Sequence, residues 1–246
     1  MEARMTTPNQ HDSLEAVARA VADLTQPVFA RLEALAQEVS ALDLRQAVGR
    51  GRLDDHDAAV VESLAVQTVQ TLDLVSGAGM AATAGETSSD GVMHWWILRD
   101  GAVVTKRHVL NPASDSYYDF SNLRWFTLPA SSGTNTLIAP YIDSWGTDDL
   151  TVTAAVLVPG SDSAREVTAV VAVDLNARAY VQAVEDVLRS AAPAVLIDGE
   201  GRAVCSTEPD IETGVRLAAL PSWSAGETAD VLGLGWTVAS LDATTG

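Results

Sequence analysis

The sequence predicts an α+β fold, a long N-terminal helix followed by two sheet modules of which the first is larger. Three observations carry this. Apolar residues recur at alternating spacings of three and four from Leu14 to Leu42, the mark of an amphipathic helix with one apolar stripe. From Gly91 the period changes to runs of β-branched and aromatic residues bounded by turn signals. A further helical stretch after Asp174 is followed by a second, shorter set of such runs. With 246 residues and 47% hydrophobic content, the chain can bury one substantial core or two modest ones.

In chain order, residues 1–12 read as a polar tail and Ser13 as a helix N-cap. The stripe then comprises Leu14, Val17, Val21, Leu24, Val28, Leu32, Leu35, Val39 and Leu42. Pro27 interrupts it, which predicts a kink or a restart, because proline removes a backbone donor and crowds the preceding turn. Such a stripe packs on the domain's own sheet or forms a dimer seam, and the first is favoured here. GRGRLDD at 49–55 is a short break. Asp54 or Asp55 then caps a second helix from about His56 to Leu74, which GAGM at 77–80 ends.

HWWIL and AVVTKRHVL flank Arg99, Asp100 and Gly101, a strong local hairpin signal. An irregular stretch runs from there to Gly133, with a short helix near Leu123 to Phe126. TLIAPYID, LTVTAAVLV and EVTAVVAVDL read as three strands, the last two about the PGSDS turn. A third helix is predicted from about Asn176 to Ser190, with Tyr180, Val184, Val187 and Leu188 on one side. PAVLIDGEGRAVCS then reads as a hairpin about DGEG, and GLGWTVASL as one more strand. The expected division is residues 1–76 as a helical segment, 77–175 as the first module and 176–246 as a connecting helix with the smaller second module.

Fifteen basic against 33 acidic residues give a net charge of −18, which opposes binding to nucleic acid or to an anionic membrane and mildly favours cationic ligands. Cys205 is the only cysteine, so no intrachain disulfide or cysteine-rich zinc site exists, and it reads as a small core hydrophobe. The start MEARMTTPNQHDS lacks the features of a signal peptide. No stretch approaches the roughly 18 apolar residues of a membrane span, so the expected location is the cytoplasm. His11, His56, His94 and His108 are scattered, and only His94 and His108 could meet, across the hairpin. HExxH, GxSxG, GxGxxG and P-loop motifs are all missing, so the reading is a non-enzyme that calls for no cofactor and no metal. Asp148 and Asp149 read as a solvated turn rather than a metal site.

The densest chemistry lies between Tyr117 and Asp174. Tyr118, Trp125, Phe126, Tyr141, Asp143, Trp145 and Asp174 concentrate rings and carboxylates in a chain otherwise poor in aromatics. That mix suits a small cation, surrounded by ring faces and closed on one side by negative charge.

The order of elements, with YYDFSNLRWF, PYIDSWGTDDLTVTAAV, VTAVVAVDL and LIDGEGRAVCS, resembles the Cache family of extracytoplasmic sensors in its double form, also described as PDC sensor domains. The resemblance covers most of the chain. It implies PAS-like antiparallel sheets, a small-metabolite pocket in the first module and, as in related sensors, a possible homodimer through the N-terminal helix. Members that sense amino acids and amines carry a tyrosine, a tryptophan seven residues on with an aromatic beside it, a Tyr-x-Asp and a distant aspartate. Tyr118, Trp125, Phe126, Tyr141, Asp143 and Asp174 match, and are the ligand-binding residues the resemblance implies. Amino-acid sensors also place an arginine two residues before the tryptophan, to hold the ligand carboxylate. Here Leu123 stands there, with Arg124 displaced by one, and a one-residue shift swings a side chain to another face. The expectation is a stand-alone soluble sensor that binds an amine cation and signals through a protein partner. The alternatives are an amino-acid or small organic-acid binder of the same fold, or a small enzyme on this scaffold.

Overall fold

A computed structural model of the chain describes residues 10–84, 91–144, 150–161, 167–220 and 222–243. The chain forms two compact units, Gln26–Ala177 and Arg178–Gly246 with Met1–Thr25. Helix α1 (Gln10–Val39) is already helical at Gln10, so Ser13 is not its cap. His11 and Glu15 pair across one turn there at 3.3 Å, which supports the earlier start. The helix also continues through Pro27 without a break. Pro27 and Asp23 are both exposed, so the carbonyl that proline leaves unpaired can be solvated. Leu14, Val17, Val21, Val28, Leu32, Leu35 and Val39 are buried by the chain itself. The stripe is therefore spent on packing within the chain. Among the described residues no helix is long and apolar enough to cross a membrane.

Ahead of the predicted break at 49–55 stands a short helix that the sequence reading did not separate, α2 (Leu44–Arg50), capped by Asp43 and closed by Gly51 in the left-handed region at φ 65°. Asp54 caps α3 (Asp55–Thr71) by accepting from the Asp57 amide at 2.9 Å. GAGM does not end that helix. It lies inside strand β1 (Val75–Thr83), which occupies the middle of a six-stranded sheet.

The sheet continues with β2 (Gly91–Arg99), β3 (Ala102–Lys106), β4 (Thr136–Ile142), β5 (Leu150–Leu157) and β6 (Thr168–Asn176). The spatial order is β3-β2-β1-β6-β5-β4, and every neighbouring pair is antiparallel. The β2–β3 turn sits at Asp100 and Gly101, φ 52° and 78°, the positive pair a two-residue hairpin needs. On one face, Trp95, Ile97, Ala81, Ala155, Val170 and Ala172 form a core cluster with Tyr118, Phe120, Trp125, Phe126 and Ile138. Helix α4 (Arg124–Ser132) packs on β4, β5 and β6 and contributes Trp125 and Phe126 to that cluster. Helices α2 and α3, which contribute nothing to it, pack on β1 and β2.

The other unit holds α5 (Ala177–Leu188), which buries Tyr180, Val184 and Leu188, and a four-stranded antiparallel sheet. Its strands are β7 (Ala194–Ile197), β8 (Ala203–Ser206), β9 (Trp223–Val231) and β10 (Trp236–Ala243), in the order β8-β7-β10-β9. The DGEG hairpin is closed by Asp198 Oδ1, which accepts from the Glu200 and Arg202 amides at 2.8 and 2.9 Å. Cys205 is buried in β8. Strand β9 has no counterpart in the sequence reading. It is an edge strand with few buried positions, so its apolar alternation is weak.

Candidate functional site

The site face of the six-stranded sheet is ordered in rows. Across the strands, Ile97, Gly77, Asp174 and Thr153 stand opposite one another, and the next row is Trp95, Gly79, Ala172 and Ala155. Because side chains alternate along a strand, every second residue of β1, β2, β5 and β6 faces the same side. Asp174 thus projects from the middle of a face whose neighbouring rows on β1 and β2 carry only glycine, isoleucine and tryptophan. Thr153, beside it on β5, donates its hydroxyl to Asp174 Oδ1 at 2.8 Å.

Tyr141 reaches this row through a bulge. Ile138 pairs with Thr153 and Tyr141 with Thr151, so β4 carries one more residue than β5 across the interval. Without the extra residue, side chains three apart would face opposite sides. Pro140 falls within the bulge, and β4 is an edge strand, where a missing backbone donor is tolerated. The Tyr141 hydroxyl lies 3.0 Å from Thr153 Oγ1. A threonine hydroxyl has a single hydrogen, and Thr153 gives it to Asp174, so Tyr141 is the donor.

Tyr118 comes from the loop after β3, pinned where its amide donates to the Val109 carbonyl at 2.8 Å. Its hydroxyl donates to Asp143 Oδ1 at 2.9 Å, just past the end of β4. Trp125 and Phe126 meet edge to face at 5.9 Å in the first turn of α4, with Phe120 5.1 Å from Phe126. All six residues suggested by the sequence therefore converge on one side of one sheet. Trp145 and the pair Asp148 and Asp149 lie outside the described residues. Leu123 packs against the aromatic cluster, whereas Arg124, one residue on, is exposed.

The electrostatics follow from burial. Tyr118, Asp143 and Asp174 are only 4%, 5% and 4% exposed. Desolvation, and then the charge of Asp143, push the Asp174 carboxyl up to about 7, while hydrogen bonds from side chains such as Thr153 and Trp95 pull it back. Burial and the same aspartates raise the phenols of Tyr118 and Tyr141, so both stay protonated and serve as donors. His108 and His94 stand in separate aromatic contacts. His108 lies against Tyr118 at 4.7 Å, and His94 against Trp96 at 6.1 Å. Desolvation and Lys106 bring His108 down to about 4, so it is neutral at physiological pH. Among the described residues no cluster of three or more His, Cys, Asp or Glu side chains could hold a metal ion.

No family model matches the sequence, and no curated relative does either. Solved structures do. The ligand-binding domain of the Pseudomonas aeruginosa PAO1 amino acid chemoreceptor PctB, in complex with L-Gln, is similar over 95% of this chain and 89% of its own, at 18% identity and a TM-score of 0.59. That of the Pseudomonas fluorescens chemoreceptor CtaA, with L-leucine, covers 93% and 90% at 16% identity and 0.58. This chain has the double Cache fold. The Campylobacter jejuni chemoreceptor Tlp3 domain, with L-norvaline, shares it over 96% and 89% at 12% identity and 0.59. The double Cache architecture accounts for both antiparallel sheets and for the long helix ahead of them.

Within it, sequence reasoning missed Thr153, which links Tyr141 to Asp174, and Trp95, whose ring lies 5.8 Å from that of Trp125. Thr153 could have been found from LTVTAAV, where a hydroxyl falls on the strand face opposite the aspartate. In HWWIL the two indoles must face opposite sides, and nothing local says which faces the site.

Proposed function

We propose that this double Cache module is a sensor that binds a compact amine cation lacking a carboxylate, in the module of residues 77–175, and passes its occupancy to a protein partner. Tyr118, Trp125, Phe126, Tyr141, Asp143 and Asp174 are its ligand-binding residues. One observation carries the reading. The hydroxyl hydrogens of Tyr118, Tyr141 and Thr153 are all committed toward two buried carboxylates, directly or in relay. A site organised in this way presents acceptors and ring faces, and its natural complement is a donor with positive charge. Burying an ammonium costs several kcal/mol unless it is paired, and two aspartates offset that cost.

An amino acid would add a negative group to the same acidic surroundings. With Leu123 packed in the cluster and Arg124 exposed, its carboxylate would be left without a matched partner. A charge-assisted hydrogen bond left unmade costs about 1.5–3 kcal/mol, roughly ten- to a hundredfold in affinity. Calorimetry with cadaverine and lysine, which differ only by the carboxylate, should therefore show cadaverine binding at least about tenfold more tightly. Asp143→Ala should abolish the cadaverine signal with an unchanged circular dichroism spectrum. The second reading, an amino-acid ligand, has in its favour that the similar chemoreceptor domains were solved with amino acids. Tighter binding of lysine would replace the amine reading with that one.

A further inference from the structure

Gly77 and Gly79 lie on the site face of β1, an interior strand, where a glycine offers no side chain to pack and weakens the strand. The space above them is taken by Trp95. A Cβ on Gly79 would stand 2.6 Å from Cε3 of the indole and 2.1 Å from the His94 carbonyl oxygen. A Cβ on Gly77 would stand 3.0 Å from the indole Nε1. The ring therefore lies along β1, its benzo edge over Gly79 and its nitrogen over Gly77. Gly77 is the residue directly opposite Asp174 on β6, so the indole N–H arrives beside that carboxylate.

We propose that Trp95 is a positioning residue of the site: its indole N–H holds the Asp174 carboxylate in place, and Gly77 and Gly79 form the trough that lets the ring lie there. The proposal deepens the ligand-site reading and rests on it only where a ligand is involved. Trp95 is buried, and its ring neighbours Trp125, so the same side chain also joins the aromatic wall to the anionic centre. The titratable group acting on Asp174 is Asp143 from the end of β4, while Asp174 itself acts on Tyr141 from β4 and Tyr118 from the loop after β3. Burial keeps both phenols protonated, which leaves Asp143 as the charge that competes with the indole for control of Asp174.

The test uses ligand-free protein first. Carboxyl carbon-13 titration of Asp174 in wild type and in Trp95→Phe, which keeps a ring in the trough and removes the N–H, should show the midpoint rising by about one pH unit, a tenfold change in proton affinity. In wild type alone, the Trp95 indole nitrogen-15 signal should titrate with the same midpoint as Asp174, a readout that needs no variant to fold. An indole signal flat through the Asp174 transition, or an unchanged Asp174 midpoint in Trp95→Phe, overturns the assignment. In the ligand arm, Trp95→Phe should bind cadaverine about tenfold more weakly near pH 6 and nearly normally near pH 9. A merely structural role would weaken binding equally at both. If wild type binds no cadaverine, the amine reading falls while the two titrations still decide the role of Trp95.

Discussion

An acid raised to about 7 by burial and by Asp143 holds its proton in the folded protein at pH values where the unfolded chain has lost it. Between about pH 4 and 7 the native state therefore binds more protons at Asp174 than the unfolded state. Its contribution to stability is full below about pH 4 and is lost as pH rises through 7. His108 acts in the opposite sense. Its folded value is lowered to about 4, so its contribution is present above the ordinary histidine range and is lost as pH falls through 4. Urea unfolding of wild type against Asp174→Asn separates the two, because the amide imitates the protonated acid at every pH. The variant should gain on wild type from pH 5 to pH 8 by a few kcal/mol, since each tenfold change in proton affinity is worth about 1.4 kcal/mol. Parallel profiles would show that Asp174 is not perturbed. At this scale the sequence was informative where residue type alone marks chemistry, as with Tyr118, Asp143 and Asp174. It was silent on Trp95, whose importance comes from what lies across the strand and not from what lies beside it in the chain, and it offered Thr153 only as one of two hydroxyls in LTVTAAV.

Strands were legible where their turns were. Asp100 and Gly101 announce the β2–β3 hairpin, and the DGEG turn announces β7 and β8. Strand β1 was illegible for a physical reason, since two glycines in four residues read as a helix terminator unless a ring from the next strand is known to lie over them. Gly79→Ala should consequently destabilise the protein by about 1–3 kcal/mol in urea midpoint measurements, because the methyl group meets backbone and indole with no room to move. Gly49→Ala, inside α2 with nothing within 4 Å, should be neutral or stabilising by up to about 1 kcal/mol. The bulge in β4 was equally invisible. APYI shows a proline in a strand but not which way Tyr141 turns, and the answer depends on pairing with β5.

At the scale of the molecule, the two units carry different chemistry. The aspartates, tyrosines and indoles of the proposed site belong to Gln26–Ala177, whereas in Arg178–Gly246 the ring of Tyr180 on α5 meets that of Trp236 on β10. Tyr180 there is fully buried beside Trp236, and its hydroxyl has no protein partner among the described residues. Removing an unpaired buried hydroxyl costs no hydrogen bond, so Tyr180→Phe should raise stability by about 1 kcal/mol, a few degrees in melting temperature. Its cadaverine affinity should match wild type. The order of helix, larger sheet, helix and smaller sheet was readable because each module brings its own period change and turns, while the pairing order of its strands was not. The trough beneath Trp95 carries one more implication, for how such a chain can change over time. Bulk at position 95 and bulk at position 77 draw on the same volume, since a Cβ on Gly77 would meet the indole first, so neither can grow without the other shrinking, while Gly79 is fixed in addition by the His94 carbonyl. Descendants of this sequence should alter positions 95 and 77 as a couple: an indole over glycine, or a small residue facing an ordinary strand, with the mixed combinations purged.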